Sequence, residues 1–382
     1  TAPAARIGRV ESGLVHPLLA GGGPTWSLQE RMAHYQVPGV SIAVIEDFEV
    51  VWEKGYGERA AGGAEPVDAE TLFQAASISK PVAAAAALQL VQRGALDLDV
   101  DVNRYLRSWK VPENEFTLDE KVTVRRLLTH NAGLTVHGFR GYASGEPVPN
   151  ILQVLDGEEP ANSEPIRVDK VPGTGFRYSG GGYTVLQLLL EEVSGQPLPE
   201  LIAETVLGPA GMRHSSFQKP LPPELERLTA SAHDAEGAPF PGHVFVDGGS
   251  TCCGLWTTPG DLARFALAVA AAANGDENAI LDPVLARAMI TPEVDGRMGL
   301  GFAIERRGGE TYFSHGGGNP GFACYLLLQP DEGYGAAIMT NGNNGSMMRE
   351  EILASIAREY GWKNLPEPEY ASLDDMASQL RA

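Results

Sequence analysis

Phe73-Gln74-Ala75-Ala76-Ser77-Ile78-Ser79-Lys80-Pro81-Val82-Ala83 runs directly into the longest apolar helical stretch of the chain, and the reading of this segment decides the rest. From Val82 to Val91 nearly every position is apolar and not β-branched, which predicts a helix buried over most of its surface rather than on one stripe. Gly94 ends it. If the helix opens near Ser77, Pro81 falls among the first residues, whose amides have no intrahelical acceptor, so its missing N–H costs little. Ser77 then sits where free amides and the positive end of the helix dipole face a developing oxyanion. Lys80 follows one turn later on the same side, within reach of the Ser77 hydroxyl. A serine needs a base before it attacks, and a partly desolvated lysine of lowered pKa is one. The plainer alternative makes Ser77 an N-cap and Lys80 a solvated first-turn residue. Partners elsewhere in the chain must decide.

The 382 residues suffice for one large domain or two, with enough apolar content for a full core. No apolar run reaches the roughly eighteen residues that would span a membrane. Residues 1 to 14 hold no apolar signal core, so the expected location is either the cytoplasm or, with a leader removed, the periplasm or exterior. Thr1 in place of an initiator Met favours a trimmed chain. Three cysteines are too few for a disulfide framework. A formal net charge of −20 argues against nucleic acid and against anionic membrane surfaces. Oligomeric state is not readable.

Residues 25 to 36 predict an amphipathic helix, and Gly39 to Ile45 with Val50 to Tyr56 a β-hairpin around Glu46-Asp47-Phe48-Glu49. Ala95 to Val102 alternates apolar residues with Asp, a strand by periodicity that also fits an extended loop. Helices follow at Thr123 to His130, Tyr183 to Val193, Leu198 to Val206 and Asp261 to Ala273, the last opened by a Thr258 cap and Pro259. Between them residues 134 to 177 are rich in Pro, Gly and acids, as site walls or lids are. Strands return at Gly299 to Arg306, Glu310 to His315, Gly321 to Gln329 and Gly335 to Asn341, before a helix from Ser346 to Tyr360 and a polar tail from Asn364. The expected fold class is α+β: one antiparallel sheet built from both ends of the sequence, flanked by N- and C-terminal helices. Residues 1–70 and 291–382 would form the sheet domain, and 71–290 an inserted, mainly helical domain carrying Ser77 and Tyr178.

Two further polar constellations stand out. In Phe176-Arg177-Tyr178-Ser179-Gly180-Gly181-Gly182-Tyr183, three glycines before a helix mark a sharp turn or a close approach. Tyr178 at its entrance is either a half-buried loop aromatic or a phenol able to relay a proton. In Phe313-Ser314-His315-Gly316-Gly317-Gly318-Asn319-Pro320-Gly321, the glycines let a substrate lie alongside a strand end, and the Gly318 amide is a candidate oxyanion donor beside that of Ser77. His315 by itself reads as a surface histidine.

Taken in order, Ser-x-x-Lys, Tyr-Ser-Gly and His-Gly-Gly resemble the serine β-lactamase and penicillin-binding-protein superfamily. The pattern is most similar to class C β-lactamases, family VIII carboxylesterases and D-aminopeptidases. Leu127-Leu128-Thr129-His130-Asn131-Ala132-Gly133-Leu134 and Gly254-Leu255-Trp256-Thr257-Thr258 before Asp261-Leu262 extend the match over most of the chain. The resemblance implies an active site in the cleft between sheet and helical domain. In it Ser77 is acylated, Lys80 and Tyr178 share general-base work, the Ser77 and Gly318 amides form the oxyanion hole, and His315 takes the place where many relatives carry Lys.

Gly180 stands where that family usually has Asn, whose amide contacts the acylamide of β-lactams or peptides. With that anchor missing and His315 replacing a fixed charge, small esters are favoured over β-lactams and short D-peptides. A protonated or donor His315 would give an inflection between about pH 6 and 7. The remaining candidates read as structure. Cys252-Cys253 is a reactive pair or, more simply, two small packed residues. His130, His137 and His243 lack zinc-ligand spacing, His130 satisfying a loop instead, and Asp97, Asp99 and Asp101 lack the Gly and final Glu of a calcium loop. The expectation is an acyl-serine hydrolase with no metal and no cofactor. The alternative from another class is a penicillin-binding sensor or assembly protein acylated once without turnover.

Overall fold

The computed structural model describes residues 3–16, 23–240, 250–276, 280–307 and 310–362; the polar tail from Asn364 and His243 lie outside them. Helices α1 (Pro3–Ser12) and α2 (Leu28–Tyr35) come first. The second is fixed by a capping box, in which the Ser27 hydroxyl accepts from the Glu30 amide and the Glu30 carboxylate from the Ser27 amide. The sequence pattern gives no sign of α1, because Val10 is its single buried residue.

The hairpin β1 (Gly39–Glu46) and β2 (Glu49–Gly57) turns through Asp47 and Phe48, both at positive φ of 51° and 61°. That is the twist a two-residue hairpin turn requires. Next come β3 (Phe73–Gln74), a 3-10 turn at Ala76–Ile78 and α3 (Ser79–Gln92). Residues Ala83 to Ala87 are all fully buried, so neighbours approach α3 closely on every side. Burying Leu88 and Leu90 contributes about 2 kcal/mol each, whereas Ala85→Leu would overpack the helix at a cost of about 1–3 kcal/mol.

A helical block follows: α4 (Val124–Leu128), α5 (Ile151–Asp156), α6 (Gly180–Ser194), α7 (Leu198–Ile202) continued by a π turn at Ala203–Leu207, α8 (Pro223–Glu226) and α9 (Ser250–Cys253). The short strand β4 (Trp256–Thr257) pairs with β3 and ties the approach to Ser77 to the residues after α9. Then α10 (Pro259–Ala273) and α11 (Pro283–Ile290) lead to β5 (Ala303–Arg307), β6 (Glu310–Asn319), β7 (Phe322–Gln329), β8 (Tyr334–Thr340) and α12 (Gly345–Tyr360).

The main sheet is antiparallel and six-stranded, in the order β2-β1-β8-β7-β6-β5. Strand β1 is its seam, with Val40 paired to Thr340 and Ile45 to Gly335. Alternate residues serve two cores. Ile42, Val44, Tyr325, Leu327 and Ile338 face α1, α2 and α12, while Ala43, Ile45, Cys324, Leu326 and Met339 face α10 and the helical block. Both faces are covered, which is why β7 and β8 are buried at every position.

Three sequence expectations change. Ala95 to Asp101 is loop, with one bridge from Asp101 to Thr123, and Val102 opens a 3-10 turn; Asp97 and Asp101 cap turns while Asp99 pairs with Arg125. Helix α6 starts at Gly180 rather than Tyr183, capped by the Ser179 hydroxyl accepting from the Gly182 amide. Strand β6 continues past His315 to Asn319, so its three glycines lie in the ladder with β7.

Candidate active site

Strand β5 begins at Ala303, opposite Ser314, so from His315 onward β6 is paired by β7 alone. This stretch of β6 presses against the turn that begins α3. A Cβ on Gly317 would fall 2.1 Å from the Ala75 carbonyl oxygen and 3.3 Å from Ala76, so only glycine permits the approach. Asn319 Nδ2 donates to Gln74 Oε1 at 2.7 Å and pins β6 to β3 from the side. Between these contacts Ala76 takes a φ of +49°, a costly conformation for a residue with a side chain, immediately before Ser77. The serine is thereby presented at the head of α3 by a strained turn locked on two sides.

Lys80 lies on the first turn of α3 and is buried, its side chain pointing back to the serine. Nζ donates to Ser77 Oγ at 3.2 Å and to the Cys252 carbonyl at 2.9 Å. It also stands 4.9 Å from the ring centre of Tyr178 and 5.7 Å from that of Tyr183. Burial pushes the Lys80 pKa down, but Tyr178 and the thiols of Cys252 and Cys253 outweigh it, and the net direction is up. The expectation of a lowered lysine pKa is therefore reversed: acceptors crowd the ammonium, and Lys80 rests as a cation.

Tyr178 sits one residue before the Ser179 cap of α6, and its ring is gripped by histidines. His130 stacks on it at 4.2 Å between centroids and 27° between planes, and His137 lies 4.9 Å away. His130 is held in turn by the Ser179 amide, which donates to its Nδ1 at 3.0 Å, leaving the proton on Nε2. Burial and the nearby Lys80 drive the His130 pKa well below the ordinary value. Reading His130 as satisfying a loop is half the account, since it also orients Tyr178. No periodicity signals a ring stack between residues so far apart in sequence.

His315 comes from β6, its ring centre 6.4 Å from that of Tyr178. Its Nδ1 donates to the Gly316 carbonyl at 2.7 Å, so in the neutral ring Nε2 is an acceptor. Burial and then Lys80 lower its pKa to about 4, against the expected protonated or donor His315 with an inflection between about pH 6 and 7. Of the glycines, Gly317 faces the Ser77 turn and Gly316 faces Arg349 at 3.4 Å, while a Cβ on Gly318 would meet nothing within 4 Å. At Gly180 a Cβ would meet His137 O at 3.0 Å and Phe139 at 3.4 Å, and the Gly180 amide donates to that same carbonyl at 3.0 Å. Residues 137 to 139 thus occupy the room of a side chain at 180.

Ser77, Lys80, Tyr178 and His315 are brought to one place from three separate elements. The Cys252 carbonyl joins them unannounced, since a backbone acceptor leaves no mark in sequence. A cavity of about 650 Å³ elsewhere, between Asp99, Arg125, Arg126 and Glu293, is walled by its own ion pairs, among them Arg125 to Asp99 at 2.7 Å. Among the described residues, no cluster of three or more His, Cys, Asp or Glu is placed to hold a metal ion, and no helix is long and apolar enough to cross a membrane.

Comparison with known proteins places the chain in a family. The family model described as Beta-lactamase matches residues 27–359. Esterase EstB of Burkholderia gladioli is 32% identical over 221 residues, 56% of this chain and 54% of the esterase, so the chain spans about half the length of that curated relative. The octameric penicillin-binding protein homologue of Pyrococcus abyssi superposes with a TM-score of 0.70 at 29% identity, over 87% of this chain and 76% of that one. The D-amino acid amidase of Ochrobactrum anthropi SV3 shares the fold, with a TM-score of 0.72 at 19% identity over 94% of this chain and 100% of the amidase.

Proposed function

The chain belongs to the beta-lactamase family, and from that premise we propose that it is a serine hydrolase working through an acyl-enzyme on Ser77, with small carboxylic esters as its leading substrates. The observation that carries the reading is the buried Lys80 ammonium donating to Ser77 Oγ at 3.2 Å beneath the Tyr178 ring. Because Lys80 occupies a lone pair of Ser77 Oγ, the hydroxyl proton is free to turn toward Tyr178. In this mechanism Tyr178 reacts as a phenolate beside the Lys80 ammonium: its oxygen takes that proton as Ser77 attacks the ester carbonyl, and the negative charge passes from the phenolate to the tetrahedral oxyanion. The Ser77 and Gly318 amides hold the oxyanion. Alcohol leaves with the proton returned by Tyr178, then water attacks the acyl-Ser77 ester by the same relay and releases the acid.

Substrate choice rests on two features. Residues 137 to 139 fill the space beside Gly180, leaving no side-chain amide there to grip an acylamide. The depressed His315 pKa leaves that ring uncharged near neutrality, so it offers no fixed cation to a substrate carboxylate. Both favour uncharged esters over β-lactams and D-peptides, and the esterase among the relatives points the same way.

The test is a burst assay with a chromogenic short-chain ester beside a chromogenic cephalosporin. Steady ester turnover that vanishes in Ser77→Ala is expected. One stoichiometric burst without turnover would replace this reading with that of a penicillin-binding sensor, and faster turnover of the cephalosporin with that of a β-lactamase.

A further inference from the structure

Cys252 and Cys253 are consecutive residues of α9, and consecutive side chains on a helix ordinarily diverge. Here the two Sγ atoms stand 2.8 Å apart, in a buried position. The backbone between them belongs to the site, because the Cys252 carbonyl accepts from Lys80 at 2.9 Å. The Cys253 carbonyl accepts from Asn319 Nδ2 at 3.4 Å, the amide that ties β6 to β3. We propose that Cys252 and Cys253 form a redox modification site, oxidised by peroxides to a vicinal disulfide that pulls the Cys252 carbonyl away from Lys80 and slows acylation of Ser77. This rests on the roles given above to Ser77 and Lys80.

The chemistry balances with hydrogen peroxide or a small alkyl peroxide as oxidant. The Cys252 thiolate attacks one peroxide oxygen; the O–O bond breaks, its electron pair leaves with the other oxygen and is protonated, and Cys252 becomes a sulfenic acid. The Cys253 sulfur then attacks the Cys252 sulfur, losing its proton, and the sulfenic oxygen leaves as water. Two thiols give up two electrons and the peroxide accepts them. The surroundings suit the first step. Burial raises the Cys252 pKa, but the hydrogen bond with Cys253 and the charges of Lys80 and Lys219 outweigh it, and the net direction is down.

Geometry links oxidation to the serine. Consecutive Cα atoms across a trans peptide are about 3.8 Å apart, below the about 4.4 Å at which relaxed disulfides begin. Closing the S–S bond must therefore deform the peptide between the two cysteines, whose carbonyl is the one that holds Lys80. Disulfides under such strain are the easily reduced, regulatory kind. The third cysteine is a natural control, since Cys324 Sγ donates to the Gln74 carbonyl at 3.2 Å and burial pushes its pKa up to about 12.

The folded protein is treated with hydrogen peroxide while three quantities are followed: intact mass, the rate at which a fluorophosphonate probe labels Ser77, and ester turnover. Expected are loss of the mass of two hydrogens, a disulfide peptide mapped to 252–253, and labelling slowed roughly tenfold or more. Dithiothreitol should reverse all of these. Cys324→Ala should respond as the parent does, whereas Cys253→Ser, each preparation being compared with its own untreated rate, should resist. The proposal is overturned if no 252–253 disulfide forms, if it forms without slowing labelling, or if Cys253→Ser slows as much as the parent. Absence of ester turnover in the untreated protein would sink the hydrolase reading alone, because mass and labelling are read without it.

Discussion

The His130 ring lies almost flat on the Tyr178 ring, 4.2 Å between centroids, while its Nδ1 accepts from the amide of the next residue, Ser179. Tyr178 is thus held by its face, and its hydroxyl is left for other work. Tyr178→Phe should preserve the stack and the melting temperature while lowering kcat for the ester by about 10²- to 10⁴-fold. Steady-state kinetics with a thermal melt checks this; loss of stability in step with activity would reduce Tyr178 to a packing residue.

Lys80 holds two acceptors at once, Ser77 Oγ and the Cys252 carbonyl, from a buried position. Lys80→Ala should lower kcat/KM by roughly 10³-fold or more, and Lys80→Arg should not restore it, because a planar guanidinium cannot fit a point-charge site of that size. Ester kinetics on the two variants, with circular dichroism to verify folding, decides the matter. An arginine variant of near-parental rate would show that charge alone suffices.

Gly317 is where β6 touches the turn before Ser77, and an added Cβ would lie 2.1 Å from the Ala75 oxygen. Gly317→Ala is expected to shift that turn, costing about 1–3 kcal/mol of stability and at least tenfold in kcat. Urea denaturation and ester kinetics on the same preparation measure both. Unchanged kinetics would mean the serine does not depend on this contact.

At Gly180 the tight spot is the His137 carbonyl, 3.0 Å from a would-be Cβ. Gly180→Asn should therefore destabilise the protein by about 1–3 kcal/mol without creating cephalosporin turnover, since the amide has no room to reach a substrate. A gain of cephalosporin hydrolysis in this variant would show that residues 137 to 139 yield readily.

His315 couples the site to pH. Its pKa falls from 6.5 to about 4 on folding, so between those values the unfolded chain binds the extra proton. Stability is accordingly full above about pH 6.5, declines as pH drops toward 4, and by then has lost on the order of 3 kcal/mol from this residue. His315→Gln should flatten that decline. Urea midpoints of parent and variant from pH 7.5 to 4 should converge or cross as pH falls; a constant gap contradicts the assignment.

What the sequence disclosed follows from what is local. The apolar run of α3, the hairpin of β1 and β2, and the strands β5 to β8 carry their own periodicity, and Ser77, Lys80 and Tyr178 stand in short motifs that become legible when taken together in their order along the chain. Features that depend on a distant neighbour were hidden. Three glycines at 180 to 182 read as a turn because glycine disfavours helices, yet they open α6, where residues 135 to 139 lie against them. The aspartates from 97 to 101 mimic strand alternation, whereas Asp97 and Asp101 cap turns and Asp99 pairs with Arg125. The direction of the Lys80 pKa depends in part on thiols far away in sequence, Cys252 at a separation of 172 positions, and no motif announces them.

The place of β1 between β2 and β8 has a consequence for biosynthesis. On the ribosome the hairpin emerges before the helical block, but its inner edge has no neighbour until β8 has been translated, three hundred codons after Val40 for the Val40–Thr340 pair. The helical block can collapse around α3 in the interval, whereas the sheet cannot close. An apolar strand edge therefore waits uncovered while those three hundred residues are made, and a nascent chain arrested before β8 would be a client for holding chaperones.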